Sequence, residues 1–255
     1  MDLELSGRAF LITGGSDGLG LSLAQRLVSE GALVAVCGRD ADRVAAAQTT
    51  LGEGALCYRA DVTVASDVDG FIDAALARFG RLDGVVNNAG RSEAGAIANS
   101  TDQQWRDDYE LKVIAALHVS RRALGPLTES KGAVLNVLAI RARTPGAGTT
   151  PTAASRLAGL ALTKALASEV APQGVRVNAI LIGLIESGQW VRKAADAGVA
   201  TEEYYEKLAA VNEIPLGRVG RADEFADLAT YLLSSRASYV TGVGISLDGG
   251  LSPVI

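Results

Sequence analysis

The chain carries one cluster of residues suited to holding phosphate. In FLITGGSDGLGLSLAQRLV an apolar run ends at Thr13-Gly14, and Gly18 and Gly20 follow before an amphipathic stretch. Glycines let such a turn fold tightly and let backbone amides approach a pyrophosphate, whose charge the amino terminus of the next helix attracts. A second apolar run ends in Cys37-Gly38-Arg39-Asp40. At that place an acidic residue accepts hydrogen bonds from a ribose 2′-hydroxyl, whereas an arginine pairs with a 2′-phosphate. Arg39 therefore favours NADP(H) over NAD(H), and the acidic neighbours Asp17 and Asp40 temper that preference. A glycine turn that serves packing alone, with no cofactor bound, is the competing reading.

Other reactive side chains are sparse. Cys37 and Cys57 have neither metal-site nor redox spacing and read as buried, inert thiols. His118 is the single histidine, which cannot build a histidine-rich metal site, and its helical surroundings suggest a helix interface. No metal is expected.

These residues need a scaffold, and the apolar pattern supplies one. AFLIT (9–13), LVAVC (33–37), GVVN (84–87), AVLNVL (133–138), VRVNAIL (175–181) and VGISL (243–247) read as strands, with a weaker one at ALCY (55–58). Amphipathic stretches near 18–29, 40–51, 66–79, 102–124, 152–171, 201–211 and 222–234 read as helices. Near-continuous apolar strands separated by helices imply a parallel sheet buried on both faces. The expected fold class is α/β, a single-domain Rossmann-type doubly wound parallel sheet of about seven strands over residues 1–255. The segment 188–214 interrupts the alternation and reads as a lid-like insertion over the carboxyl edge of the sheet.

Bulk properties narrow the partners. With 48% hydrophobic and 21% charged residues the chain is too apolar for disorder. A net charge of −5 argues against nucleic acid or an anionic membrane surface. No apolar run approaches the roughly 20 residues that span a bilayer, and MDLELSGR lacks the basic-then-apolar order of a signal peptide. A soluble, cytoplasmic protein is expected.

With NNAG at Asn87–Gly90 added, the chain resembles the short-chain dehydrogenase/reductase family over essentially its whole length. The resemblance rests on the TGxxxGxG spacing, ADV at 60–62, NNAG, RVNAI at 176–180, and the run from IPLGRVGRADEFADLATYLLS to YVTGVGISLDGG. It implies that Gly14, Ser16, Gly18, Leu19 and Gly20 line the pyrophosphate, Asp61 and Val62 the adenine, and Asn88, Ala89 and Gly90 the adenosine ribose side. The family's Pro-Gly and threonine after the sixth strand are replaced by Ile182-Gly183 and Ser187, whose hydroxyl could still hold a nicotinamide carboxamide.

The same resemblance implies an asparagine, a serine, a tyrosine and a lysine that move a proton during carbonyl reduction. Local register places these at Lys112, Ala139, Thr152 and Arg156. A threonine hydroxyl is a far weaker acid than phenol, whose pKa is about 10, and Ala139 offers no donor. Arg156 keeps a positive charge but stays protonated. Losing one donor that stabilises developing charge costs on the order of 100- to 1000-fold, so the usual mechanism is not expected. Lys112 and Arg156 are expected to point into one cleft, with Arg141 and Arg143 nearby, where they would suit an anionic small molecule. The competing expectation pairs them with surface acids such as Asp108 or Glu110. Tyr109, Tyr204 and Tyr205 are candidate replacement acids, or packing residues.

Three readings follow. The favoured one is a catalytically silent or altered-site subunit, a pseudoenzyme, in a homo-oligomer or a hetero-oligomer with an active homologue. The helices near 102–124 and 152–171 would form the contact, since Ala153, Ala154, Ala158, Ala161 and Ala165 allow close approach. The second is an active NADP(H) oxidoreductase with a non-standard proton donor, acting on a ketone/alcohol pair or an acyl-CoA. The third is a non-redox cofactor sensor, or a lyase resembling the halohydrin dehalogenases; those keep the serine and tyrosine and alter the glycine motif, the reverse of this chain.

Overall fold

The computed structural model describes residues 2–254. Seven strands form one parallel sheet: β1 (Ala9–Thr13), β2 (Leu33–Gly38), β3 (Leu56–Arg59), β4 (Gly84–Asn87), β5 (Ala133–Ala139), β6 (Arg176–Ile182) and β7 (Gly244–Leu247). Their order is β3-β2-β1-β4-β5-β6-β7. The direction of winding reverses between β1 and β4, and a crevice opens there beyond the strand carboxyl ends. Thr13-Gly14 and Asn87-Asn88 flank that crevice.

Alternation along each strand builds two cores. Phe10 and Ile12 of β1 join Val34, Val36, Val86 and Leu135 under α1 (Gly18–Ser29) and α9 (Ala222–Leu233). Leu11 joins Ala35, Val85, Val134 and Val177 on the opposite face. There α3 (Ala65–Phe79), α5 (Ala115–Ser130) and α6 (Thr152–Val170) cover them. Each of these strand residues is essentially solvent-free, as the continuous apolar runs require. Helix α2 (Ala41–Leu51) follows β2, and α7 (Gly188–Asp196) and α8 (Thr201–Val211) form the 188–214 segment.

The helix expected over 102–124 is broken. It consists of α4 (Asp102–Tyr109), a π-helical turn at Glu110–Ile114, and α5. Thr101 starts α4 with a capping box: its hydroxyl accepts from Gln104 N at 3.2 Å, and Gln104 Oε1 accepts from Thr101 N at 2.8 Å. Within the π turn, side chains leave the 3.6-residue register. Lys112 is turned inward and Ile114 outward, at 5% and 45% exposure. A two-residue antiparallel ribbon, Ala94–Gly95 against Thr150–Pro151, closes over the start of α6.

His118 sits 3.4 Å from Asp69, at the interface of α5 and α3. Cys37 is buried as expected, whereas Cys57 on edge strand β3 is only half-buried. Among the described residues no group of histidine, cysteine and carboxylate side chains could hold a metal, and no helix is long and apolar enough to cross a membrane.

Candidate active site and cofactor cleft

A cleft of about 920 Å³ runs along the carboxyl edge of the sheet. Gly14, Ser16, Asp17, Gly18, Leu19, Arg39, Val62, Asn88, Ala89, Gly90 and Ser187 all line it. The sequence-derived cofactor positions thus converge, with two exceptions. Gly20 lies outside the lining and acts by packing: a Cβ there would come 2.4 Å from Gly14 O and 2.5 Å from Asn88 Nδ2. Asp61 is also outside the lining, turned towards Thr63, whose N and Oγ1 donate to it at 3.0 and 2.7 Å, and towards Arg39 at 3.6 Å. Burial pushes the Asp61 carboxyl up, but the Thr63 bonds and Arg39 outweigh it and hold its pKa below the ordinary value.

The glycine turn fits a dinucleotide. Gly14 and Gly18 have φ of 63° and 55°, a region that L side chains avoid. A Cβ at Gly38 would lie 2.3 Å from Ser16 Oγ, so the end of β2 also depends on glycine to approach the turn. Asn88 Nδ2 donates to Thr13 O and Gly14 O at 3.1 and 2.9 Å, which makes its amide a brace for the turn. Asp17 caps α1 through Gly18 N at 2.7 Å and lies 3.5 Å from Arg43 and 3.6 Å from Arg192 of α7. Two arginines that sequence reasoning missed therefore stand at the phosphate turn. Ser187 makes no side-chain cap bond to α7.

The other end of the cleft departs from the sequence expectation. Ala139, Thr152 and Arg156 line it, but Lys112 does not. Lys112 lies behind Thr152, its side chain 1% exposed. Nor is the corner free of carboxylates. Lys112 Nζ donates to Asp108 Oδ1 and, at 2.9 Å, to Thr152 Oγ1. Ser155 Oγ donates to Asp108 Oδ2 at 2.5 Å. Pairing with Asp108 was one of the two sequence expectations, yet Asp108 is buried at 2% exposure, not a surface acid. The i,i+4 spacing was the signal for the pair; nothing local marked Ser155.

Desolvation dominates the titration of this corner. Burial, reinforced by Arg156, lowers the Lys112 ammonium to a pKa of about 8, against the opposing pull of Asp108 and Glu93. Burial lowers the Arg156 guanidinium to about 10, with Asp108 opposing, so it stays charged at neutral pH. Arg156 Nη1 donates to Val137 O at 2.6 Å, while its buried Nε has no partner among the described residues. The candidate acids Tyr109, Tyr204 and Tyr205 are absent from the cleft lining. Tyr204 packs on Trp190 with ring centroids 6.4 Å apart. Burial raises the Tyr205 hydroxyl pKa.

The comparisons agree with this geometry. The family model described as enoyl-(acyl carrier protein) reductase matches residues 14–252. An uncharacterised oxidoreductase of Mycobacterium bovis is 36% identical over 249 residues, covering 96% of this chain and 97% of that protein. Among solved structures, the NADPH-bound short-chain oxidoreductase of Pseudomonas aeruginosa PAO1 "containing an atypical catalytic center" is 36% identical, with a TM-score of 0.93 over 98% of this chain and 99% of its own. L-sorbose reductase of Gluconobacter frateurii, complexed with NADPH and L-sorbose, is 30% identical, with a TM-score of 0.94 over the full length of both chains. Glycine turn, sheet order and full-length match agree, and the chain belongs to the short-chain dehydrogenase/reductase family.

Proposed function

We propose that the chain is an NADP(H)-dependent oxidoreductase that interconverts a carbonyl and an alcohol with an altered proton-transfer group. One observation carries this reading: a single cleft joins the glycine turn and Arg39 to a corner where a hydroxyl, Thr152, and a cation, Arg156, both line the wall. Gly14, Gly18 and the first turn of α1 would hold the pyrophosphate, Arg39 and Arg43 a 2′-phosphate, and Ser187 the carboxamide. Bound there, the nicotinamide supplies the hydride. Arg156 favours negative charge developing on the substrate oxygen.

The silent-subunit reading keeps one observation in its favour, the donorless Ala139 on the cleft wall. In that reading the helices around 102–124 and 152–171 would dock an active homologue. Calorimetric titration with NADPH and NADH, followed by NADPH oxidation with L-sorbose, a crotonyl thioester and 2,3-butanedione, separates the two. Tight NADPH binding with turnover of any probe supports the enzyme. Binding with no turnover supports the silent subunit, and no binding removes the cofactor from both.

A further inference from the structure

Thr152 occupies its corner in an unusual state of hydrogen bonding. Its Oγ1 accepts from Lys112 Nζ and from Glu93 N, each at 2.9 Å. Thr152 N in turn donates to Glu93 O at 3.2 Å, so the ribbon segment clasps the residue from both sides. A hydroxyl has two acceptor sites and one proton. Both acceptor sites are taken, and among the described residues no acceptor is recorded for the proton. Thr152 lines the cleft while Lys112 sits behind it. The hydroxyl is therefore polarised from the protein side by a cation and keeps its proton for the cleft side.

Resting on the oxidoreductase reading above, we propose that Thr152 hands its hydroxyl proton to the substrate carbonyl oxygen and that Lys112, hydrogen-bonded behind it, replaces that proton. The balance is simple. The carbonyl carbon gains the hydride that the nicotinamide supplies, the oxygen gains the Thr152 proton, and Thr152 Oγ1 takes one from Lys112 Nζ as its own leaves. The ammonium becomes a neutral amine beside Asp108 and regains a proton from solvent. A mostly apolar void of about 10 Å³ beside Lys112, with Asn87 and Asn136 also in its wall, has room for roughly one water that would pass that proton back. Thr152 is the catalytic residue of this scheme, and Lys112 is a positioning and proton-supplying residue that acts through it.

The surroundings of Lys112 suit that duty. Asp108 on α4, Arg156 on α6 and Glu93 from the ribbon segment are the charged groups that face it, and burial outweighs the two carboxylates. A lysine that titrates near working pH can both give and regain a proton. An arginine at the same place could not. The relay also explains why a weak acid can stand where a phenol is usual: the threonine need never exist as a free alkoxide if the two transfers are concerted.

The test combines a titration with kinetics. Lysine Cε chemical shifts of the 13C-labelled protein, assigned through Lys112→Arg, are followed against pH without and with NADP+. One lysine should titrate near pH 8, and Thr152→Val, which removes its acceptor, should lower that value further. With the probe reduced fastest, kcat for reduction should fall as pH rises through about 8, where the ammonium is lost, and the reverse oxidation should rise over the same interval. Thr152→Val should lose about 100-fold or more in kcat with NADPH affinity kept, and Thr152→Ser should lose no more than roughly tenfold. Lys112→Arg keeps the charge and should abolish the pH step. A buried arginine can fail to fit, so the wild-type titration and the Thr152 pair stand independently of it.

Undiminished turnover in Thr152→Val, or a Lys112 that titrates with the other lysines, overturns the relay alone. NADPH binding with no turnover of any probe overturns the oxidoreductase reading and the relay with it.

Discussion

At the adenosine end of the cleft the close approaches depend on side chains that are missing, whereas at the opposite end everything depends on which side chains are present. A Cβ at Gly14, Gly20 or Gly38 would meet a neighbouring atom at 2.9 Å or less. That end tolerates little change. At the other end Lys112, Asp108 and Ser155 are linked by hydrogen bonds to one another and to Thr152, whose own hydroxyl proton is left without an acceptor among the described residues. Such a set can be exchanged as a unit without disturbing the sheet. The contrast teaches that, under the proposed function, cofactor binding and proton transfer would rest on separate residues, and mutations test that separation.

The largest effect should come from splitting the buried pair. Lys112→Met leaves Asp108 buried with only Ser155 and the charge of Arg156 nearby, and removal of one partner from a buried pair costs about 3–5 kcal/mol. Denaturant unfolding should show that loss, and a paired Asp108→Leu/Lys112→Met replacement should recover most of it. The sign with pH is also fixed. Lys112 has a folded pKa lowered to about 8 from 10.5. The folded state therefore binds fewer protons between those values, and wild-type stability should rise with pH across that window. Lys112→Met should lack that rise.

A smaller effect should follow at the other end. Gly20→Ala forces a methyl against Gly14 O and the Asn88 amide, and overpacking of this kind costs about 1–3 kcal/mol. Because Asn88 braces the turn, weaker NADPH binding should accompany the lower unfolding midpoint. If Gly20→Ala weakens stability but leaves NADPH affinity intact, the two roles assigned to this turn come apart.

Arg39 sharpens the comparison within the adenosine end. Its side chain is 63% exposed and its guanidinium lies 3.6 Å from Asp61, an exposed ion pair of little net worth. Arg39→Ala should therefore leave stability unchanged and lower NADPH affinity by about tenfold, a charged hydrogen bond's share. Affinity for NADH should not change. Equal losses for both cofactors would assign Arg39 to the adenine and not to a 2′-phosphate.

These two ends also differed in legibility. Glycine spacing and unbroken apolar strands encode the sheet directly, because both features act within a few residues along the chain. Strand limits and most helix limits accordingly agree to within a residue or two, and even the edge strand β3 was visible, whereas the helix expected over 102–124 is interrupted and runs on to Ser130. The corner around Thr152 was legible only in part. Counting from Trp105 and from the α6 motif led to Lys112 and Thr152, which the structure brings within hydrogen-bond distance, and Asp108 was one of two acids offered as partners of Lys112. The direction of Lys112 was not legible, since the π turn at Glu110–Ile114 departs from the helical register on which any such expectation rests. Nor was the hold on Thr152, which comes from Glu93, a residue 59 positions away.

The smallest effect is expected at Cys37, and it tests how tightly the adenosine end is closed. Its thiol lines the cleft at the end of β2 but is 1% exposed. Burial, reinforced by Asp61 and Asp67 and opposed by the Gly14 backbone, pushes its pKa up to about 12. Thiolate is the reactive form, so near neutral pH Cys37 should resist alkylation while the half-buried Cys57 reacts slowly. The Cys37 rate should climb about tenfold per pH unit up to that pKa, as the thiolate fraction does. Peptide mapping after timed alkylation distinguishes the two sites. Rapid labelling of Cys37 near neutral pH that NADPH suppresses would mean that the glycine turn opens in the free protein, and the contrast between a rigid adenosine end and an exchangeable proton-transfer corner would not hold.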